Sequence, residues 1–127
     1  MDRSEALELI LDHYHNPRNH GEMEEADVTL QGGNPGCGDI VNLFLKFDGD
    51  RLVEITFTGT GCTISQAATS MLTETVQGYT LTEIENLDYR LIEELLSAEL
   101  VKTRPKCSTL GLDTLKTAAR QYQHSHR

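Results

Sequence analysis

The stretch VNLFLKFDGDRLVEITF, residues 41–57, decides the fold. Val41, Leu43, Leu45 and Phe47 recur at every second position, which places them on one side of a strand. Val53, Ile55 and Phe57 repeat that period on a second strand. Asp48-Gly49-Asp50 stands between them as turn chemistry, so the two strands are expected as an antiparallel hairpin. Upstream, Val28 to Gln31 reads as a third, weaker strand. A three-stranded sheet with one apolar face needs a layer over that face.

The flanks supply that layer. Residues 4–15 predict an N-terminal helix, with Ser4 as cap and Leu7, Ile10, Leu11 and Tyr14 at helical spacing. Asn16-Pro17-Arg18-Asn19-His20-Gly21 is a helix stop. After the hairpin, Ile64, Ala67, Ala68, Met71, Leu72 and Thr75 make a helical stripe that ends at Gly78. A short helix starts at Thr82, a second runs through Leu91, Ile92, Leu95 and Leu96, and a C-terminal one carries Leu110, Leu115, Ala118, Ala119 and Tyr122. The expected fold is α+β: a small three-stranded antiparallel sheet covered by an N-terminal helix and C-terminal helices. With no repeat, linker or low-complexity tract, residues 1–127 read as a single domain.

Charge narrows the function classes. Asp and Glu number 20 against 11 Lys and Arg, for a formal net charge of −9. A phosphate backbone needs clustered cations, so nucleic acid is not expected as a partner. An anionic membrane surface is excluded on the same ground, and no apolar run has the length of a membrane span. The polar, acidic N-terminus carries neither a signal-peptide core nor an Arg-rich transit pattern, so the expected location is the cytoplasm. The acidic 22–27 segment and Glu93-Glu94 read as solvated faces, or as docking surfaces for a basic partner.

The three cysteines are then the informative residues. An odd number cannot close a disulfide framework, and no C-x-x-C pair is present. Cys37 lies in the Gly-rich loop Gly32-Gly33-Asn34-Pro35-Gly36-Cys37-Gly38-Asp39. If the following strand begins at Cys37, then Cys37 and Asp39 project to one side. A tight turn with an incidental thiol is the plainer reading of the same loop. Cys62, in Gly59-Thr60-Gly61-Cys62-Thr63-Ile64-Ser65, falls where a strand ends and a helix begins. The helix dipole there favours thiolate, but a small buried residue at a corner fits equally. Cys107 follows Arg104-Pro105-Lys106 near another helix start, where local positive charge favours thiolate; a solvated basic turn is the alternative. Together, three thiols at element boundaries and one carboxylate suit a soft metal centre held loosely at its Asp39 corner. His13 and Tyr14 read as packing residues, His124 and His126 as a polar tail, and Ser65 and Ser70 lack any triad context.

These residues resemble the IscU/SufU/NifU N-terminal family of iron–sulfur cluster assembly scaffolds over nearly the whole chain. The resemblance rests on Leu11-Asp12-His13-Tyr14 with Asn16-Pro17-Arg18-Asn19, then Asn34-Pro35-Gly36-Cys37-Gly38-Asp39. It continues with Gly59-Thr60-Gly61-Cys62-Thr63-Ile64-Ser65 and Lys106-Cys107-Ser108-Thr109-Leu110. It implies a scaffold whose assembly site is Cys37, Asp39, Cys62 and Cys107, holding a transient [2Fe–2S] cluster or Zn²⁺. It implies sulfur delivery as persulfide from a cysteine desulfurase and transfer of the cluster to apo iron–sulfur proteins. Cys37, in its Gly-rich loop, is the expected persulfide acceptor, and Arg104 the auxiliary cation.

Two departures qualify it. Lys106 stands before the third cysteine, where IscU-type members carry His; Arg104 matches SufU-type members. The Cys62–Cys107 interval leaves no room for the usual SufU-type insertion. The site is thus SufU-like and the length IscU-like. A zinc-dependent sulfurtransferase that accepts persulfide without building a cluster is the second implied function, and a structural zinc adaptor the third. The chaperone-docking segment is reduced to Leu100-Val101-Lys102, which removes the basis for recruiting the family's dedicated Hsp70.

Overall fold

A computed structural model describes residues 3–34 and 38–125. The hairpin forms where the alternation predicts it. Strand β2 (Asp39–Asp48) pairs antiparallel with β3 (Arg51–Thr60) through a tight turn at Gly49-Asp50. Strand β1 (Val28–Asn34) pairs antiparallel with β2, giving the sheet order β1-β2-β3. Val41, Leu43, Leu45 and Phe47 all face the core.

The second strand departs from simple alternation. Its register passes from Lys46 opposite Glu54 directly to Phe47 opposite Leu52, so Val53 is an extra residue, a β-bulge. The bulge reverses the phase of the strand toward the turn. Leu52 is fully buried beside Phe47, and Val53, expected inside, is 44 % exposed. Ile55 and Phe57, beyond the bulge, remain in the core.

Helix α1 (Arg3–His15) turns only Ile10 of the expected stripe inward, its buried face being rotated from the one expected. Ala6, Ile10 and His13 are buried, while Leu7, Leu11 and Tyr14 are exposed. Both triplets follow i, i+4, i+7 spacing, so periodicity alone cannot choose between them. The choice is made by α2 (Thr63–Val76), against which α1 packs. Small Ala6 permits close approach. The His13 Nδ1 lies 2.7 Å from the Ser70 Oγ, which also accepts the Arg18 N–H at 2.9 Å. Asn19, in the left-handed region at φ 54°, donates from Nδ2 to the Thr73 Oγ1. The turn after α1 is therefore pinned to the same helix.

Helix α2 runs through the centre, buried from Ser65 to Thr73 and again at Val76. Three short helices follow: α3 (Leu81–Glu85), α4 (Tyr89–Leu95) and α5 (Ala98–Thr103). Thr80, not Thr82, caps α3, in a reciprocal capping box with Glu83. Helix α5 was not foreshadowed by a stripe; the Ser97 hydroxyl caps it by accepting the Leu100 N–H. Helix α6 (Pro105–Ser125) crosses both α2 and β1. At its crossing with α2, a Cβ on Gly111 would lie 2.6 Å from the Thr69 Oγ1, so only glycine allows this approach. Its far end is tied down by Tyr122, stacked on Phe47 and donating its hydroxyl to the Gly49 carbonyl. Among the described residues no helix is long and apolar enough to cross a membrane.

Candidate metal centre

Four element ends meet at one corner: the start of β2, the end of β3, and the N-termini of α2 and α6. Each carries polar chemistry there. Asp39 opens β2 and is 1 % exposed. Cys62 is the N-cap of α2, and its Sγ accepts the Ser65 N–H at 3.5 Å. Cys107 is the third residue of α6, whose first residue, Pro105, needs no N–H partner. Cys107 is 3 % exposed. The ligand atoms of Asp39, Cys62 and Cys107 lie within 4.8 Å of one another.

The local geometry follows from the chain. Gly61 has φ 136°, which side-chain-bearing residues rarely adopt, and a Cβ there would lie 2.0 Å from the Asp39 Oδ1. Glycine at 61 is what lets the β3–α2 turn fold over the carboxylate. The Cys62 N–H then donates to the Asp39 Oδ1 at 2.6 Å, a short charge-assisted bond. The other oxygen, Oδ2, lies 3.5 Å from the Cys62 Sγ. A tetrahedral zinc with ordinary bond lengths separates a sulfur and an oxygen ligand by about 3.6 Å, so this pair needs little movement to share one ion.

The donor set fits a soft or borderline cation. Two sulfurs and one carboxylate oxygen suit zinc or iron, not magnesium or calcium. Two helix N-termini aim their positive ends at the sulfurs, where negative charge is favoured. Burial of Asp39 and Cys107 limits water at the corner, which strengthens each of these interactions.

Of the residues the sequence singles out, the fold thus brings together Asp39, Cys62 and Cys107. Cys37 lies outside the described residues. Arg104 is the C-cap of α5 and is exposed; its carbonyl accepts from Ser108, and its side chain forms no ion pair with a described residue. Lys106 is likewise exposed. Ser65, weighed from the sequence only as a hydroxyl without triad context, supports the site: its N–H bonds the Cys62 sulfur and its hydroxyl donates to the Cys62 carbonyl at 3.1 Å. Its position three residues after an N-cap was the available signal. Gln66, which the sequence did not single out, braces the turn by donating to the Thr60 carbonyl.

Comparison with known proteins agrees with this geometry. Residues 6–127 match the family described as "NifU-like N terminal domain". An iron-sulfur cluster assembly scaffold protein IscU from Azotobacter vinelandii is 37 % identical over 119 residues, 91 % of this chain and 91 % of that protein. The zinc-dependent sulfurtransferase SufU of Bacillus subtilis is 32 % identical over 126 residues, 86 % of this chain and 85 % of its own length. The crystal structure of a SUF-system scaffold candidate from Fervidobacterium islandicum superposes with a TM-score of 0.74 at 34 % identity, covering 88 % of this chain and 94 % of that one.

Proposed function

This chain belongs to the NifU-like N-terminal domain family, and on that premise we propose that it is an assembly scaffold for iron–sulfur clusters. The observation that carries the proposal is the Asp39, Cys62 and Cys107 cluster, two thiols and a carboxylate at one buried corner. Cys37 completes the ligand set as its fourth member. The nascent [2Fe–2S] cluster is cargo: the thiolates hold it, and the harder Asp39 oxygen binds it least tightly, which keeps it transferable. Sulfur comes from a cysteine desulfurase, with Cys37 as the receiving thiol, and apo iron–sulfur proteins take the product. Arg104, exposed and three residues before Cys107 in sequence, would serve as an auxiliary cation for an incoming anionic sulfur. The workplace is the reducing cytoplasm, where thiols persist unpaired. The test is anaerobic incubation with Fe²⁺, cysteine, a desulfurase and a thiol reductant, which supplies the electrons that take persulfide sulfur to sulfide. A visible cluster that moves to an apo-ferredoxin is expected; no cluster and no transfer would reject the reading.

One observation favours a second reading. Lys106 precedes Cys107 where a histidine could have served as a further ligand, and the SufU relative is named a zinc-dependent sulfurtransferase. In that case zinc is resident at the same residues, holding the thiolates poised and the local fold rigid. Asp39, Cys62, Cys107 and Cys37 would bind it. Zinc-loaded protein should then stimulate the desulfurase and metal-free protein should not; equal stimulation rejects it. Asp39→Ala separates both readings from a purely structural zinc module: retained folding with altered sulfur or cluster transfer is expected.

A further inference from the structure

Helices α2 and α6 carry the two described thiols at their N-terminal ends, and they cross just behind them. Gly111 follows Cys107 by four residues, one turn along α6. Thr69 follows Cys62 by seven, two turns along α2. Residues at these spacings share a helix face, so the sulfurs and the crossing belong to one interface. At its front, the Cys62 and Cys107 sulfurs lie within 4.8 Å of each other. At its back, Gly111 meets Thr69.

The crossing has no slack. A Cβ on Gly111 would lie 2.6 Å from the Thr69 Oγ1 and 3.3 Å from its Cβ, where ordinary contact begins near 3.4 Å. Thr69 has no room to turn aside: it is fully buried, and its hydroxyl donates to the Ser65 carbonyl at 2.8 Å. Farther along, α6 is tied to the sheet. Thr114 packs on Gly32 of β1 with no space for a Cβ between them, and Tyr122 stacks on Phe47. A push at Gly111 therefore falls on the N-terminal turn of α6, which carries Cys107.

Helix separation here is thus coupled to sulfur separation. A tetrahedral zinc holds two thiolate sulfurs about 3.8 Å apart, and a larger ion holds them farther apart. Resting on the metal-holding role proposed above, we infer that the Gly111–Thr69 crossing sets the spacing of the Cys62 and Cys107 sulfurs, and with it the size of the ion that fits the corner. Gly111 is then a specificity-determining residue that touches no metal. Widening the crossing should cost a small ion more than a large one of the same charge and similar ligand preference. Zinc and cadmium are such a pair.

The test titrates the reduced, metal-free full chain with Zn²⁺ and with Cd²⁺ against a chromophoric chelator, without oxygen. The ratio of the two affinities is the readout, and the unmodified protein is its reference. Gly111→Ala should raise the cadmium-to-zinc ratio by about tenfold, the lower end of what disturbing a ligand's support costs a metal site. Adding Thr69→Ala removes the clashing oxygen and should return the ratio to the reference. Cys37 is common to all variants, so it does not contribute to the differences. A general loosening of the fold would weaken both ions in parallel and leave the ratio where it was. An unchanged ratio in folded Gly111→Ala, or a raised one that Thr69→Ala does not restore, overturns the inference and leaves the proposed function standing. If Gly111→Ala does not fold, Thr69→Ala alone decides: it lets the helices close and should lower the ratio, and no change overturns the inference. If the unmodified protein binds neither ion, the functional reading fails with it.

Discussion

At its turn end, β3 carries an inserted Val53, which rotates Leu52 into the core; at its other end, Gly59, Thr60 and Gly61 bury no large apolar side chain. Both ends depart from a regular strand, but toward different purposes. The bulge spends an irregularity on burying one more leucine. The glycine end gives up packing so that a backbone can pass within contact of Asp39 and place Cys62 beside it. Stability should therefore be concentrated at the turn end and metal chemistry at the glycine end. Substitutions that confuse the two roles would break that division.

The largest effect is expected at the bulge. Leu52 is fully buried, so Leu52→Ala should cost about 3 kcal/mol of unfolding free energy through lost burial and a residual cavity. Val53, its exposed neighbour, should lose no more than about 0.5 kcal/mol on change to Ala. Denaturant titration of the two variants decides the matter. Equal losses would mean that the strand keeps plain alternation through residue 53.

A smaller but more telling pair uses two glycines with positive φ. Gly49 sits in the hairpin turn at φ 64° with open space where a Cβ would go, and Gly61 has φ 136° with Asp39 in the way. Either change to Ala places a side chain in a disfavoured backbone region, at about 1–2 kcal/mol. Only Gly61→Ala should also reduce zinc affinity, by about 10–100-fold, because it displaces a ligand's support. Competition against a chromophoric chelator measures this. Equal zinc affinities in the two variants would show that Asp39 does not need the turn above it.

How far the sequence foretold this division differs between the two ends. The hairpin, its Gly49 turn and the stripe of α2 were legible because they rest on local period and turn chemistry. So was the placing of Cys62 and Cys107 at helix starts, since Gly61 and Pro105 punctuate the chain beside them. The bulge was not legible, because Leu52 and Val53 are adjacent apolar residues and only pairing with β2 selects between them. The face of α1 was lost for the same reason. Leu7, Leu11 and Tyr14 form a more apolar stripe than Ala6, Ile10 and His13, and the polar contact with Ser70 that selects the second stripe joins residues far apart in sequence. The meeting of Asp39 with both thiols is also a long-range fact; the sequence pointed to it through the ordered motifs, not through spacing.

The smallest effect is expected on the α1 face, far from either end of β3. Burial pushes the His13 imidazole below its ordinary value of 6.5, and the Arg18 charge adds to this, against opposing pulls from Glu74 and Asp12. The Ser70 Oγ already accepts the Arg18 N–H, so its own proton is free to donate to a neutral His13 Nδ1, leaving Nε2 to face Glu74 at 3.5 Å. A histidine whose folded value is lowered binds fewer protons than the unfolded chain between the two values. Stability should then be fully present above pH 6.5 and fall as the pH drops below it. His13→Gln should remove that part of the slope. Denaturant midpoints of the two proteins, compared from about pH 7.5 down to about 5.5, isolate it, since every other titrating group is common to both. Parallel curves would mean that α1 is held by its apolar contacts alone. The histidine would then set the rotation of the helix without lending it any sensitivity to acid.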